Sequence, residues 1–200
     1  MHWKLCMPGM ARRYRDVVEE VMVELQRILK FAALLVFFAM PASGQDGLVG
    51  LQQVGDWIVY KKNGEPVQCG IMAIPASMNF SRNGKPVKAN RGATRVVILY
   101  LMNETGQAML AYESGFPIKQ DTTATLEVGG SSFNLYLDPS GESRSWAWPT
   151  RSDEARIIEQ MRKGNEAIIT SVSERGTRVR DVYSLRGVTA GLNAARDECS

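Results

Sequence analysis

From Asn63 onward, turn signals recur in this chain at intervals of roughly eight to twelve residues, a spacing that leaves room for short strands and little else. Asn63-Gly64, Asn83-Gly84-Lys85-Pro86, the stretches 103–106 and 138–142, Gly129-Gly130 and Arg175-Gly176-Thr177 are built from residues that favour tight turns. Between them the chain alternates. Trp57 to Tyr60 reads as a short strand, and Val67, Cys69, Ile71 and Ala73 share one face of a strand from Pro66 to Ile74. Thr94 to Met102 is nearly all apolar and predicts a central strand covered on both faces. Further strands are expected at 107–112, 122–128, 131–137, 143–148, 167–173 and 178–185. Helical periodicity appears only late. Thr150-Arg151-Ser152-Asp153 fits a capping box ahead of Ile157, Ile158 and Met161, with Gly164 as the stop. Val188, Leu192, Ala195 and Cys199 then lie on one face of a terminal helix. The pattern predicts a mainly β protein, an antiparallel β-sandwich or flattened barrel, with a short helix at about 152–163 and a C-terminal helix at about 188–198.

The segment before these strands has a different composition. Ile28 to Met40 is nearly unbroken apolar sequence behind Arg27 and Lys30, and Pro41-Ala42-Ser43-Gly44 follows. A basic flank, a short apolar centre and small residues at the end describe a secretory signal, whereas a membrane-spanning helix needs roughly 20 apolar residues. Residues 1–44 are therefore expected to be a signal peptide cleaved between Gly44 and Gln45, and the alternative is an uncleaved anchor. Asp16, Glu19, Glu20 and Glu24 are unusual in such a leader and point to Met10 or Met22 as the start. Residues 45–53 are small, polar and Gly-rich and read as a flexible mature N-terminus, leaving 54–200 as one β domain.

Export narrows the chemistry. Beyond Gly44 there are 18 Lys plus Arg and 17 Asp plus Glu, so the net charge is +1 and gives no electrostatic case for nucleic acid. The one histidine, His2, belongs to the leader. Without imidazole the Ser-His and Cys-His nucleophile arrangements are closed to the remainder, as are His-based metal sites. No catalytic residue, cofactor site or metal site is expected. The remaining catalytic resource is carboxylate pairs, Asp153 with Glu154 and Glu113 with Asp121, which would serve an envelope glycan hydrolase. Trp146 and Trp148, at period two, are either core or a platform for a sugar or peptide.

Cys69 and Cys199 are the cysteines left in an oxidising compartment, and each shares a face with apolar residues. Pairing with one another is expected, free or intermolecular thiols being the alternative. Ser77 to Gly92, basic through Arg82, Lys85, Lys88 and Arg91, reads as a solvated loop or as a surface for an acidic partner. Arg175, Arg178 and Arg180 cluster on the last hairpin near Asp181, either as an interaction surface or as a solvated strand edge. Asn79-Phe80-Ser81 and Asn103-Glu104-Thr105 match the glycosylation acceptor pattern, which matters only in a eukaryotic secretory pathway.

Gly55-Asp56-Trp57, Cys69, Met161-Arg162-Lys163-Gly164 and above all the run from Ser173 to Gly187, SERGTRVRDVYSLRG, followed by Cys199, resemble the invasion-associated locus B family of exported bacterial proteins. The resemblance implies a small β-rich protein of the periplasm or outer envelope, with founding relatives linked to host-cell invasion and no established catalytic residues. It implies a non-enzymatic binding or structural module acting on an envelope or surface protein partner. An assembly factor that adds a peptide strand to a sheet edge is a further possibility.

Overall fold

A computed structural model describes residues 48–64, 67–101, 107–138 and 143–199. The expected leader with its Gly44–Gln45 junction, the 103–106 turn with its acceptor pattern, and most of the 138–142 turn lie outside the described residues. Among the described residues twelve strands form one antiparallel sheet that does not close. They are β1 Leu48–Val54, β2 Trp57–Lys62, β3 Gln68–Ala73, β4 Ser77–Arg82, β5 Lys85–Pro86, β6 Arg95–Leu101, β7 Ala108–Glu113, β8 Ala124–Val128, β9 Ser131–Leu137, β10 Trp146–Trp148, β11 Glu166–Val172 and β12 Arg178–Ser184. Their order across the sheet is β1-β2-β3-β6-β7-β10-β9-β8-β11-β12-β4-β5. Among the described residues two helices accompany the sheet, α1 Arg151–Lys163 and α2 Val188–Glu198.

The sheet folds over on itself at β9, whose Tyr136 and Leu137 pair with β10 while Ser131 to Leu135 pair with β8. Inward residues of both halves then meet in one core, with Trp57, Ile71, Ile98, Leu110, Leu126, Leu135 and Ile169 all fully enclosed. The expected alternation is what fills it, since burying such side chains stabilises by about 1.5–3 kcal/mol each. Helix α1 buries Ile157, Ile158 and Met161 against β7 and β8, and α2 buries Val188, Leu192 and Ala195 against β2 and β3. Cys199, which caps α2, is bonded to Cys69 of β3, with Cα atoms 5.9 Å apart.

Several expectations need correction. Residues 48–54 are a strand, not a flexible tail: β1 is exposed along most of its length and is ordered by its ladder to β2, with an irregularity between Gly50 and Gln52. Exposure on both faces removes the apolar alternation by which a strand is recognised. The polar stretch 77–92 likewise contains β4 and β5 because β4 pairs with β12. That pairing puts β12 inside the sheet, between β4 and β11, so its arginines do not mark an edge. At the start of α1 the Thr150 hydroxyl donates to the Asp153 carboxylate (2.8 Å) and caps no backbone N–H, so the capping box is not formed.

Two stretches distant in sequence interlock here. The Asp56 backbone N–H donates to Arg186 O (3.0 Å), the Trp57 indole donates to Ser184 O (2.9 Å), and the Arg186 guanidinium holds the Asp56 carboxylate from two nitrogens (2.6 and 3.1 Å). Gly55 and Gly187 lie backbone against backbone, and a Cβ on Gly187 would collide with Val54 O. With φ at +103°, Gly187→Ala should therefore lose about 1–3 kcal/mol from backbone strain alone, with the collision in addition, read as a lowered urea midpoint.

The Asp56–Arg186 pair also has a pH signature. Hydrogen bonds from Arg186 and Ser184 hold the Asp56 carboxyl down at about 2, against an ordinary 3.8. A depressed folded-state value contributes stability above pH 3.8 that is lost as pH falls through about 2. Asp56→Asn should thus be less stable than the parent at neutral pH, and the difference should vanish by about pH 2 in acid-unfolding curves.

Candidate functional site

At one end of the folded sheet, the β4–β5 hairpin, the loop 88–92, the corner 115–117 and the β11–β12 turn enclose a cleft of about 700 Å³. Short strands ending together leave their connections side by side, so residues from four separate stretches meet there. Phe80, Phe116, Pro117 and Val179 provide apolar walls, and Arg82, Lys88 and Arg175 provide charge. The β11–β12 turn is tightly built. Ser173 N–H donates to Thr177 O (2.8 Å), Thr177 N–H donates to Ser173 Oγ (3.1 Å), and the Arg82 guanidinium donates to Thr177 Oγ1 (2.7 Å).

Arg91 anchors the cleft's base. Its guanidinium lies near the faces of Phe80 and Phe116, 5.4 and 5.9 Å from the ring centres, and donates to Ser114 O (3.1 Å). Both terminal nitrogens grip Asp181, at 2.6 and 2.9 Å, with 5% and 0% of the two side chains exposed. The Tyr112 hydroxyl donates to the same carboxylate (2.8 Å) and lies 3.4 Å from Ser171 Oγ. Burial, reinforced by the Asp181 charge, pushes the Tyr112 hydroxyl pKa upward and keeps it a neutral donor to that carboxylate, and burial pushes the Tyr183 hydroxyl in the same direction. With three donors on it, Asp181 seats Arg91 and thereby the 88–92 loop; it is not placed as a free base in the cleft.

The expected site residues are dispersed by this geometry. Arg175 lines the cleft, whereas Arg178 and Arg180 project from the outer face of β12, beside Ser81 and Asn79. Asp181, expected near those arginines, points the other way and pairs with Arg91. Trp146 and Trp148 are not core residues: Ala147 between them is fully buried, and the two rings stack on the outer face, half-buried, with centres 6.3 Å apart. Arg95 lies over Trp146 and is paired with Glu113 (2.7 Å), so the carboxylate beside that ring is engaged by a cation. Asp153 and Glu154 stand in the first turn of α1, Asp121 stands in an exposed turn, and neither expected carboxylate pair lines the cleft. Among the described residues no group of three or more His, Cys, Asp or Glu side chains is arranged to hold a metal.

The Arg91–Asp181 pair was not anticipated, although half its signal was in view. Asp181 falls in phase with Val179 and Tyr183 on an alternating strand, which places a carboxylate in the core and demands a partner. Nothing local identifies Arg91 as that partner, ninety residues earlier.

Residues 86–196, more than half of the chain, match the family model for Invasion associated locus B (IalB) protein. The chain belongs to the IalB family. The match begins after Gly55-Asp56-Trp57 and Cys69 and stops before Cys199, so it is narrower than the likeness those residues suggested. It includes every wall of the cleft except Phe80 and Arg82. Among solved structures, invasion associated protein B from Bartonella henselae is similar at 13% identity and a TM-score of 0.47, over 74% of this chain and 96% of that one. The comparison with curated proteins finds no match. No helix among the described residues of this IalB domain is long and apolar enough to cross a membrane.

Proposed function

We propose that this chain is a non-enzymatic binding module of the bacterial envelope, periplasmic or on the outer face, that engages a partner through the cleft between the 88–92 loop and the β11–β12 turn. The observation that carries the reading is the cleft's charge. Among the described residues, Arg82, Lys88 and Arg175 pair with no carboxylate, while the acidic lining residue, Glu174, is held by Arg144 (2.7 Å). Such a site offers recognition of negative charge and no free acid–base couple. Its volume falls in the range of roughly 300–1,000 Å³ typical of ligand sites. Membership of a family designated invasion associated extends the reading to contact with a host cell.

Charge reversal separates this site from the other arginines. The double variant Lys88→Glu with Arg175→Glu should lose co-purification of its envelope partner, with binding weakened by about tenfold or more for each reversed contact. Arg178→Glu with Arg180→Glu, on the outer face, should retain it. Equal recovery from both variants, each folded by circular dichroism, would remove the cleft from the binding surface.

A further inference from the structure

Building on the cleft as the binding site, we propose that its occupant is a linear acidic peptide segment of another protein, with carboxylates set around an apolar side chain. The three cations that have no carboxylate partner among the described residues come from three separate walls: Arg82 from the β4–β5 hairpin, Lys88 from the following loop and Arg175 from the β11–β12 turn. Between them lie Phe80, Phe116, Pro117 and Val179. A ligand that satisfies this arrangement carries negative charge at several points along its length and an apolar group in the middle. Charge complementarity of that kind fixes register and rejects neutral or basic sequences.

A phosphate group asks for something different. Phosphate sites concentrate their donors, whether backbone N–H groups of a helix N-terminus or nest or a cluster of arginines, on a single anion. Helix α1 begins at Arg151 and α2 at Val188, and neither start lines the cleft. A flat anionic surface would meet outward cations such as Arg178 and Arg180 more readily than the recessed apolar floor beside Phe80 and Phe116. The spread of the cations and the apolar ground between them favour a peptide chain.

Selection from a displayed library of random linear peptides against the intact protein tests this. The expected result is enrichment of sequences with several Asp or Glu around an aromatic or branched aliphatic residue. Binding of the selected peptides should fall about tenfold with Arg175→Glu or Lys88→Glu, weaken with added salt, and be unchanged in Arg178→Glu. Enrichment of neutral or basic sequences, no enrichment, or acidic peptides indifferent to both cleft variants would overturn the proposal. Vesicles of phosphatidylcholine with phosphatidylglycerol are tested in parallel. Capture of the parent but not of Arg175→Glu by these vesicles, without acidic peptide enrichment, would keep the cleft as a binding site and overturn the peptide.

Discussion

Asp181→Ala should destabilise the domain by about 3–5 kcal/mol, because it strands a buried guanidinium rather than merely deleting a contact. The Arg91 side chain is 5% exposed and directs two nitrogens at the carboxylate, and Tyr112 loses its acceptor in the same substitution. For a domain of this size each kcal/mol lowers the melting temperature by roughly 2–4 °C, so a fall of about 6–20 °C is expected in thermal unfolding. Replacing both partners, Arg91→Met with Asp181→Leu, should recover a large part of the loss, since an apolar pair leaves no charge unpaired. A single-variant loss below about 1 kcal/mol would mean that water reaches Arg91 freely and that the pair does not hold the 88–92 loop. Peptide or partner binding should also weaken in Asp181→Ala, since Lys88 rides on that loop.

The second large effect concerns the bridge between Cys69 and Cys199. It closes a loop with a sequence separation of 130 residues. Chain-entropy reasoning gives such loops the greatest stabilisation, and Cys199→Ser should cost about 2–5 kcal/mol, measured as a shift of the urea midpoint. The loss should be global rather than a detachment of α2. Val188, Leu192 and Ala195 remain buried, and the Lys61 ammonium still donates to Glu198 O (3.3 Å) at the helix's end. Hydrogen exchange should accordingly find the first turns of α2 protected in the reduced protein and only the last turn open. Equal midpoints for the parent and Cys199→Ser would deny the bridge its structural part.

Most strands that could be read from sequence have one face in the core; β6, read from its unbroken apolar run, buries the consecutive residues Val96, Val97 and Ile98. In β9, Phe133 and Leu135 are buried while Asn134 and Tyr136 are not, and in β12 Val179, Asp181 and Tyr183 alternate inward. Period two was visible there because burial imposes it. The strands β1, β4 and β5 carry no such imprint, since pairing with a neighbouring strand, not burial, holds them. Helix limits were legible because apolar stripes end where the helices do, at Lys163 and Glu198.

The site was less legible, for two physical reasons. Period two says that Trp146 and Trp148 share a face without saying which; Ala147 is the residue small enough to sit against the core, and it turns both rings outward. The cleft itself is assembled by long-range pairing. Arg82, Lys88 and Arg175 become neighbours of one cavity only because β4 crosses to pair with β12, a crossover that local sequence does not encode. Arg175, Arg178 and Arg180 are close in sequence, but strand geometry sends the last two to the outer face.

A photoreactive residue placed at Arg175, and in a second strain at Arg180, tests the cleft as the working surface of this IalB protein when intact cells are irradiated. The account predicts a discrete crosslinked protein from Arg175 that is absent from Arg180 and abolished by Lys88→Glu. Crosslinks of equal yield from both positions, or from Arg180 alone, would contradict it.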